Sequence, residues 1–287
     1  MRTIAHLSDL HFGRSDAAVA DALSVHVRSL KPDVVVISGD LTQRAREREY
    51  QQAADFLRLL PSPQIIVPGN HDVPLHNVVA RLRSPLDFYR RYISDDLAPY
   101  YRDEEIAVLG INTARSLTWK NGRISREQVI ASCEQLERST GDVVRMIVTH
   151  HPFDLPASYR PRHLVGRARM AMVAFAACNV DLFLSGHLHA SSITHTVDRY
   201  KIAGHAALVI QAGTAISTRL RSEVNSWNLL RIAPPSRLSI ERFAWAPDAR
   251  SFQRVATADY RKSSNGWSIV TENTTDKPND APRQRSA

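Results

Sequence analysis

The chain has 287 residues, of which 43% are hydrophobic and 23% charged, so its composition is that of a soluble globular protein with one sizeable core or at most two domains. A net charge of +8 would indicate nucleic-acid binding if it were clustered among aromatic residues, but the 37 lysines and arginines are scattered and aromatic residues make up only 7%. Composition therefore argues against a nucleic-acid partner.

The N-terminus and the cysteines predict a cytoplasmic protein. The first residues lead directly into a short apolar run without the length or cleavage site of a signal peptide, and no stretch long enough to span a membrane follows. Cys133 and Cys178 each lie in a helix-like segment, with no second cysteine close enough in sequence to form a chelating pair. We expect both to be buried thiols in a reducing compartment.

The first half of the chain alternates predicted strands and helices. A strand at 3–7, a helix at 16–30 and a strand at 33–38 form a βαβ opening. The pattern continues with a helix at 46–60, a strand at 64–67, a helix at 76–92 broken at Pro85, a strand at 106–111, a helix at 125–138 and a strand at 143–148. Alternation of this kind is typical of an α/β fold.

The second half changes period after a Pro- and Arg-rich loop at 152–167. An apolar helix at 170–178 and a buried strand at 181–184 come first. Short runs that predict an antiparallel sheet closing the fold follow at 191–198, 206–211, 226–232 and 237–244. The end of the chain is polar, so we expect one domain over residues 1–250 and a disordered tail over 251–287.

Five of the predicted strands end in residues that can bind a metal. The motifs are Ser8-Asp9-Leu10-His11, Gly39-Asp40, Gly69-Asn70-His71-Asp72, Thr149-His150-His151 and Gly186-His187-Leu188-His189. Ligands of an open α/β sheet bind beyond the carboxyl ends of its strands, so these motifs predict one metal-lined crevice with Asp40 at its centre. Side chains two residues apart on an extended strand point to the same side, which lets Asp9 and His11 chelate one ion.

The candidate ligands are too many for one ion. They are Asp9, His11, Asp40, Asn70, His150, His187 and His189. Two divalent cations about 3.5–4 Å apart would use them, with Asp40 as the shared carboxylate. The mixture of imidazole, carboxylate and amide favours iron or manganese, with zinc or cobalt as alternatives, over magnesium or calcium, which prefer oxygen ligands.

The five motifs, in this order, resemble the signature of the calcineurin-like metallophosphoesterases over roughly residues 3 to 245. The resemblance implies an α/β, four-layer αββα sandwich of two mixed β-sheets flanked by helices. It also implies that one metal is bound by Asp9, His11, Asp40 and His189. The second metal would be bound by Asp40, Asn70, His150 and His187.

Two further residues of the third motif are expected to take part in catalysis. His71 follows the ligand Asn70, so it can reach and protonate the leaving-group oxygen of a phosphoester, and the family resemblance implies the same role. The alternative is that His71 only forms hydrogen bonds around the metal ligands. Asp72 is expected to orient His71.

Three residues near the fourth motif are expected to touch substrate. His151 either packs behind the metal ligands or contacts the substrate. Arg167 and Arg169 lie in the loop that begins at the metal site, and guanidinium groups suit bidentate contacts with phosphate. The alternative for this pair is that both arginines open a helix and stay solvated.

The motifs Gly39-Asp40-Leu41-Thr42, Gly69-Asn70-His71-Asp72 and His150-His151-Pro152 look most like those of the bacterial class III 3′,5′-cyclic nucleotide phosphodiesterases. The further Asp that protein Ser/Thr phosphatases carry just after the Gly-Asp motif is missing from Gly39-Asp40-Leu41-Thr42-Gln43-Arg44, and Asp72 replaces the Glu that follows their Asn-His pair, so a protein phosphatase is disfavoured. The resemblance implies hydrolysis of 3′,5′-cyclic AMP to 5′-AMP, with a metal-bridging hydroxide as nucleophile. Asn112 departs from the aspartate of many relatives, which bears on nucleotide selectivity.

Other functions stay open at this point. They are hydrolysis of a glycerophosphodiester, a nucleotide-lipid pyrophosphate or nucleic acid, and a non-enzymatic scaffold. A scaffold is disfavoured because such relatives lose ligands, whereas all seven are present here. The expected partner is a small phosphodiester and not a membrane, and a homodimer is compatible with the sequence.

Overall fold

The computed structural model describes residues 1–75, 77–118, 120–138, 141–202, 205–219, 223–264 and 266–274. Within these ranges the chain forms thirteen strands: β1 Arg2–Leu7, β2 Val34–Ile37, β3 Gln64–Ile66, β4 Tyr100–Arg102, β5 Ile106–Gly110, β6 Val144–Val148, β7 Leu182–Ser185, β8 Ser192–His195, β9 Leu208–Gln211, β10 Ser226–Ala233, β11 Arg237–Ala246, β12 Ser251–Ser263 and β13 Gly266–Thr274. The α-helices are α1 Ala17–Leu30, α2 Glu47–Leu59, α3 Val78–Arg83, α4 Asp87–Tyr92, α5 Arg126–Glu137, α6 Ala168–Ala177 and α7 Thr196–Tyr200. Single 3₁₀ turns lie at Asn70–Asp72 and Pro161–His163.

The strands form two mixed sheets. The seven-stranded sheet has the order β13-β12-β11-β10-β1-β2-β3, and the six-stranded sheet has the order β4-β5-β6-β7-β9-β8. In the first sheet β1 and β2 are parallel, whereas β1 and β10 are antiparallel. In the second, β5, β6, β7 and β9 are parallel.

Three apolar layers hold the sheets and helices together. Side chains from both sheets, such as Val36 of β2 and Met146 of β6, are fully buried between them. A second cluster packs α1 and α2 against the outer face of the first sheet, and a third packs α5 and α6 against the second. Strands buried on both faces explain the unbroken apolar runs in the sequence. The predicted four-layer αββα sandwich is therefore confirmed.

The last strands correct the expected domain boundary. Residues 251–274 form β12 and β13, which extend the first sheet, so they are not a disordered tail. Tyr260 and Trp267 are buried in the layer between the sheets, 5% and 3% exposed. Residues 268–274 of β13 are all exposed and β12 is only partly buried, which gives the segment its polar composition. Residues 275–287 lie outside the described residues.

The remaining segments differ from expectation in detail. The predicted run at 206–211 gives β9, which is parallel to β7 rather than part of an antiparallel sheet. The predicted strand at 191–198 stops at His195, where α7 begins. The helix predicted from His76 to Tyr92 divides into α3 and α4, and His76 itself lies outside the described residues. Within the described chain, none of the helices combines the length and apolarity needed to cross a bilayer.

The cysteines are not separate thiols. Cys133 of α5 and Cys178, directly after α6, form a disulfide, with Cα atoms 5.6 Å apart. The expectation of two free thiols was based on sequence separation and is wrong, because α5 and α6 pack side by side on the second sheet.

Candidate metal centre

The strand-end motifs meet at one edge of the sandwich. The first three follow β1, β2 and β3, which are neighbours in the first sheet, and the other two follow β6 and β7, which are neighbours in the second. Parallel strands deliver their carboxyl ends to the same edge. The structure therefore brings together all seven of the candidate ligands, which are Asp9, His11, Asp40, Asn70, His150, His187 and His189.

Most of these residues have an unusual backbone conformation. Positive φ angles are found at Asp9 (54°), His11 (50°), Asp40 (54°), His187 (73°) and His189 (58°). Left-handed backbone is uncommon outside glycine and costs about 1–3 kcal/mol per residue. Five strained residues in one place indicate a site whose geometry is fixed by the surrounding structure.

The first group consists of Asp9, His11, Asp40 and His189, whose potential ligand atoms all lie within 4.8 Å of one another. His11 Nε2 lies 3.5 Å from Asp9 Oδ1, 3.7 Å from Asp40 Oδ2 and 3.4 Å from His189 Nε2. His189 Nε2 is 3.3 Å from Asp9 Oδ1. This arrangement of two carboxylates and two imidazoles suits a divalent cation.

The second group surrounds His150. Its Nε2 atom lies 3.3 Å from Asp40 Oδ2, 3.2 Å from Asn70 Oδ1 and 3.3 Å from His187 Nδ1. Asp40 Oδ2 thus faces both groups. The described side chains offer the shared carboxylate that two adjacent cations require.

In each of the two aspartates, one carboxylate oxygen accepts hydrogen bonds from neighbouring residues and the other faces the centre of the site. Asp40 Oδ1 accepts a hydrogen bond from the His71 backbone N–H at 2.8 Å. Asp9 Oδ2 accepts from Ser8 Oγ at 2.7 Å and from the His187 backbone N–H at 3.0 Å. Asp9 Oδ1 is buried and accepts no hydrogen bond from the described residues. A buried carboxylate oxygen without a donor is costly, and a bound cation would remove that cost, so the residues fit a metal.

Backbone and hydroxyl oxygens orient the imidazoles. His150 Nδ1 donates to Ser38 O at 2.8 Å, and His11 Nδ1 lies 3.3 Å from Thr42 O. His189 Nδ1 lies 2.9 Å from Thr214 Oγ1. With Nδ1 engaged in this way, Nε2 of each ring is directed into the site, as in metal-binding histidines generally.

The ionisation of these groups follows their burial and their neighbours. Burial opposes the charged form of Asp40, but His150 and His71 outweigh it and hold its pKa well below the usual range. Burial also opposes the imidazolium of His150, yet the adjacent Asp40 raises its pKa to about 9. Burial and repulsion from His150 lower the pKa of His187 to about 3, which leaves this ring neutral with a lone pair for a metal.

Gly69 allows the loop after β3 to approach Asp40. A Cβ at this position would lie 2.1 Å from Asp40 Oδ1 and 2.4 Å from Asp40 N. We expect Gly69→Ala to displace Asp40, lowering metal content in elemental analysis and the free energy of unfolding by about 1–3 kcal/mol. Gly166→Ala is the control, because its nearest atom would be Gly122 O at 3.2 Å. Equal metal content in the two variants would contradict this prediction.

His71 lies beside both groups without joining either. Its ring is 4.9 Å from that of His11, centroid to centroid. Nδ1 donates to the Gln43 carbonyl oxygen at 2.8 Å, and Nε2 lies 3.1 Å from Arg219 Nη1. Burial lowers the pKa of His71, with Asp40 acting in the opposite direction.

Asp72 does not contact the His71 ring. Its carboxylate accepts hydrogen bonds from the backbone N–H groups of Leu41, Thr42 and Gly69 at 3.1, 2.8 and 2.8 Å. Burial and the nearby Asp40 raise its pKa to about 6 against these hydrogen bonds. The expectation that Asp72 orients His71 is wrong, because the side chain instead ties the loop after β2 to the loop after β3.

His151 lies behind the candidate ligands, in one of its two expected positions. It lies near His150 and His187, but Nδ1 is 2.8 Å from Thr113 Oγ1 and Nε2 is 3.0 Å from Lys120 O. Both ring nitrogens are thus engaged by the protein, and the side chain is fully buried. Of the two expected roles, packing behind the ligands is the one that the geometry supports, and substrate contact is not.

Arg167 and Arg169 are exposed at the start of α6. Among the described residues, neither forms a hydrogen bond or ion pair with any of the seven candidate ligands. Their proposed role in substrate binding stays a prediction.

The sequence interpretation missed Gln43, Thr214 and Arg219. Thr214 follows β9 in a Gly-Thr pair, so the strand-end rule could have found it if β9 had been recognised as parallel to β7. Gln43 lies three residues after Asp40 of the second motif. Arg219 lies in a loop far from every motif, and no spacing in the sequence connects it with His71.

Comparison with known proteins gives a family and several relatives. The model of the calcineurin-like phosphoesterase family matches residues 2–191. The probable glycerophosphodiester phosphodiesterase GpdQ of Arcobacter nitrofigilis is 27% identical over 179 residues, or 59% of this chain and 62% of that protein. The 3′,5′-cyclic adenosine monophosphate phosphodiesterase CpdA of Escherichia coli is 25% identical over 178 residues, or 60% and 59%. The chain thus spans less than two thirds of the length of either relative.

Solved structures with the same fold have low sequence identity. A dimetal phosphatase from Danio rerio aligns with a TM-score of 0.60 and 17% identity, covering 83% of this chain and 95% of that one. The purple acid phosphatase PPD1 from yellow lupin aligns with a TM-score of 0.63 and 10% identity, covering 85% and 51%. These similarities support the fold alone.

Proposed function

Because the chain belongs to the calcineurin-like phosphoesterase family, we propose that it hydrolyses a phosphodiester bond with two divalent metal ions. The observation that carries this proposal is the position of Asp40 Oδ2, which faces His11 Nε2 at 3.7 Å and His150 Nε2 at 3.3 Å. A carboxylate oxygen between two groups of imidazoles is suited to two cations rather than one.

The proposed ligand sets divide at Asp40. Asp9, His11, Asp40 and His189 would hold one ion, and Asp40, Asn70, His150 and His187 the other. When bound, the ions would lower the pKa of water and neutralise charge on the phosphoryl oxygens. Iron and manganese are the favoured metals, with zinc and cobalt as alternatives, because imidazole and carboxylate ligands are mixed.

His71 is the proposed general acid. Its backbone N–H holds Asp40 Oδ1 at 2.8 Å, so the residue is fixed to the centre of the site, while its ring lies outside both ligand groups. Nδ1 is occupied by Gln43 O, which leaves Nε2 as the atom that can serve the leaving group. Because the Nδ1 proton is engaged by Gln43 O, the ring would have to be an imidazolium to donate a second proton from Nε2, and this proton would allow an alkoxide to leave as an alcohol.

We propose 3′,5′-cyclic AMP as the substrate, with 5′-AMP as product. The motifs that resemble class III cyclic nucleotide phosphodiesterases and the 25% identity to the Escherichia coli cyclic AMP phosphodiesterase support it. A glycerophosphodiester is the second candidate, because two relatives at 27% and 28% identity are named glycerophosphodiester phosphodiesterases. In both substrates the leaving group is an alkoxide.

A substrate panel tests these proposals. Purified protein loaded with Mn²⁺, Fe²⁺ or Co²⁺ is assayed with cyclic AMP, cyclic GMP, glycerophosphocholine, bis(p-nitrophenyl) phosphate and p-nitrophenyl phosphate. We expect turnover of diesters above the monoester, and cyclic AMP above glycerophosphocholine. Nitrophenyl diester turnover without cyclic nucleotide turnover would reject the cyclic AMP proposal, and no diester turnover with any metal would reject the diesterase.

A further inference from the structure

The loop that follows β9 brings a guanidinium group to the metal centre. This loop, residues 212–219, is hydrogen-bonded along its length to the segment that follows β1. Ala215 N donates to Ser8 O at 3.0 Å, Ile216 O accepts from Asp16 N at 2.9 Å, and Thr218 N donates to Arg14 O at 2.7 Å. The position of the next residue, Arg219, is therefore tied to the same chain segment that carries Asp9 and His11.

Arg219 has only neutral partners among the described residues. Its Nη1 atom lies 3.1 Å from His71 Nε2 and 3.4 Å from Gln43 Oε1, and no carboxylate in the described chain forms an ion pair with it. The side chain is half-buried. A half-buried cation beside two expected metal ions repels them, and an anion that contacts all three would offset the repulsion.

The atom that Arg219 contacts is the one that would serve the leaving group. A leaving-group oxygen protonated by His71 Nε2 must come within hydrogen-bond distance of that nitrogen, in the region that Arg219 Nη1 reaches. An anionic phosphate oxygen accepts a hydrogen bond from guanidinium more strongly than neutral imidazole does. When substrate binds, the Arg219 guanidinium would therefore exchange its hydrogen bond to His71 for one to the anion.

We propose that Arg219, supported by Gln43, forms a phosphate-binding subsite on the leaving-group side of His71. Its ligand is a phosphodiester anion, or the phosphate monoester left after hydrolysis. The proposal rests on the proposed function for its two metal ions and for His71 as the proton donor, but phosphate binding by Arg219 can be measured without turnover of any diester. Arg219 contacts the substrate anion directly, whereas Gln43 holds the guanidinium through Oε1.

Inorganic phosphate is the probe. Its affinity for the manganese-loaded protein is measured by isothermal titration calorimetry, and its inhibition constant is measured against bis(p-nitrophenyl) phosphate. Arg219→Met removes a charged hydrogen-bond donor to the phosphate, and the loss of such a donor lowers the binding free energy. We therefore expect this variant to bind phosphate about 10- to 100-fold more weakly. KM for the diester is expected to rise more than kcat falls. Metal content, measured by elemental analysis, should be unchanged.

Two further variants separate the subsite from other roles. Arg44→Met removes one positive charge from an exposed neighbour of Gln43 and is expected to change phosphate affinity by no more than about twofold. Arg219→Gln keeps a polar group that can still reach His71, so it replaces Arg219→Met if that variant fails to fold or to bind metal, with the same expected loss.

The outcomes distinguish this proposal from the function itself. Unchanged phosphate affinity in both Arg219 variants, or an equal loss in Arg44→Met, would overturn the subsite. A fall in kcat with unchanged phosphate affinity would assign Arg219 to positioning His71 and would overturn it as well. Calorimetry decides the subsite even if the wild-type protein hydrolyses no diester, in which case only the proposed function fails.

Discussion

Replacing Asp40 with alanine is expected to remove both metal ions and to abolish diester hydrolysis. Asp40 Oδ2 is the oxygen that faces His11 and His150, so its loss takes a ligand from both groups. Even a residue that only orients a metal ligand contributes about 10- to 100-fold to metal affinity, and a shared ligand should contribute more. Elemental analysis after dialysis against a weak chelator measures the metals, and bis(p-nitrophenyl) phosphate measures activity.

Two variants serve as controls for Asp40→Ala. Asp40→Asn keeps an oxygen that can accept the His71 backbone hydrogen bond but removes the charge, so it should lose metal without losing the fold. His189→Ala should mainly affect the group formed with Asp9 and His11, leaving about half of the metal bound. One ion per chain in the wild-type protein, unaffected by Asp40→Ala, would mean that Asp40 is not shared.

Substitution of His71 by alanine is expected to slow hydrolysis by an amount that depends on the leaving group. General acid catalysis contributes about 10²- to 10⁴-fold in rate, and it matters most when the leaving alkoxide is a strong base. We expect a loss of this size with cyclic AMP or glycerophosphocholine, and a much smaller loss with bis(p-nitrophenyl) phosphate, whose nitrophenolate leaves without a proton. The ratio of kcat values on the two classes is the measurement.

Metal content is the control for His71→Ala. The His71 backbone N–H, which holds Asp40, is retained in the variant, so both metals should remain bound. His71→Gln should behave like the alanine variant, because glutamine has no proton to give at neutral pH. Equal losses with alkyl and nitrophenyl diesters would show that His71 acts through the geometry of the site.

The candidate metal ligands could be predicted from sequence because their signal is local. Each follows a short buried strand, and the parallel topology of such strands brings their ends together. The same logic could not place Asp72, since a carboxylate beside a histidine gives no indication of which partner it selects. In the fold, three buried backbone N–H groups need an acceptor, and Asp72 supplies it.

Contacts between segments that lie far apart in the chain could not be predicted from the sequence. Arg219 and His71 are 148 residues apart in the chain, and the loop that carries Arg219 is held in place by hydrogen bonds to the backbone after β1. The disulfide likewise depends on how α5 and α6 pack, which no cysteine spacing reveals. The hairpin at 251–274 has no apolar pattern that predicts strands, because residues 268–274 are exposed throughout and β12 is only partly buried.

The pairing of β1 sets the limits of the functional unit. The family match ends at residue 191, yet β1, which leads into Asp9 and His11, lies between β2 and β10. The partner of His189 Nδ1, Thr214, is also beyond that point. A fragment that ends at residue 191 would contain all seven candidate ligands. It would lack β10, however, which is the antiparallel neighbour of β1, the strand that leads into Asp9 and His11. The motifs therefore mark the candidate centre, whereas the part of the chain needed to hold it extends at least to the end of β10 at Ala233.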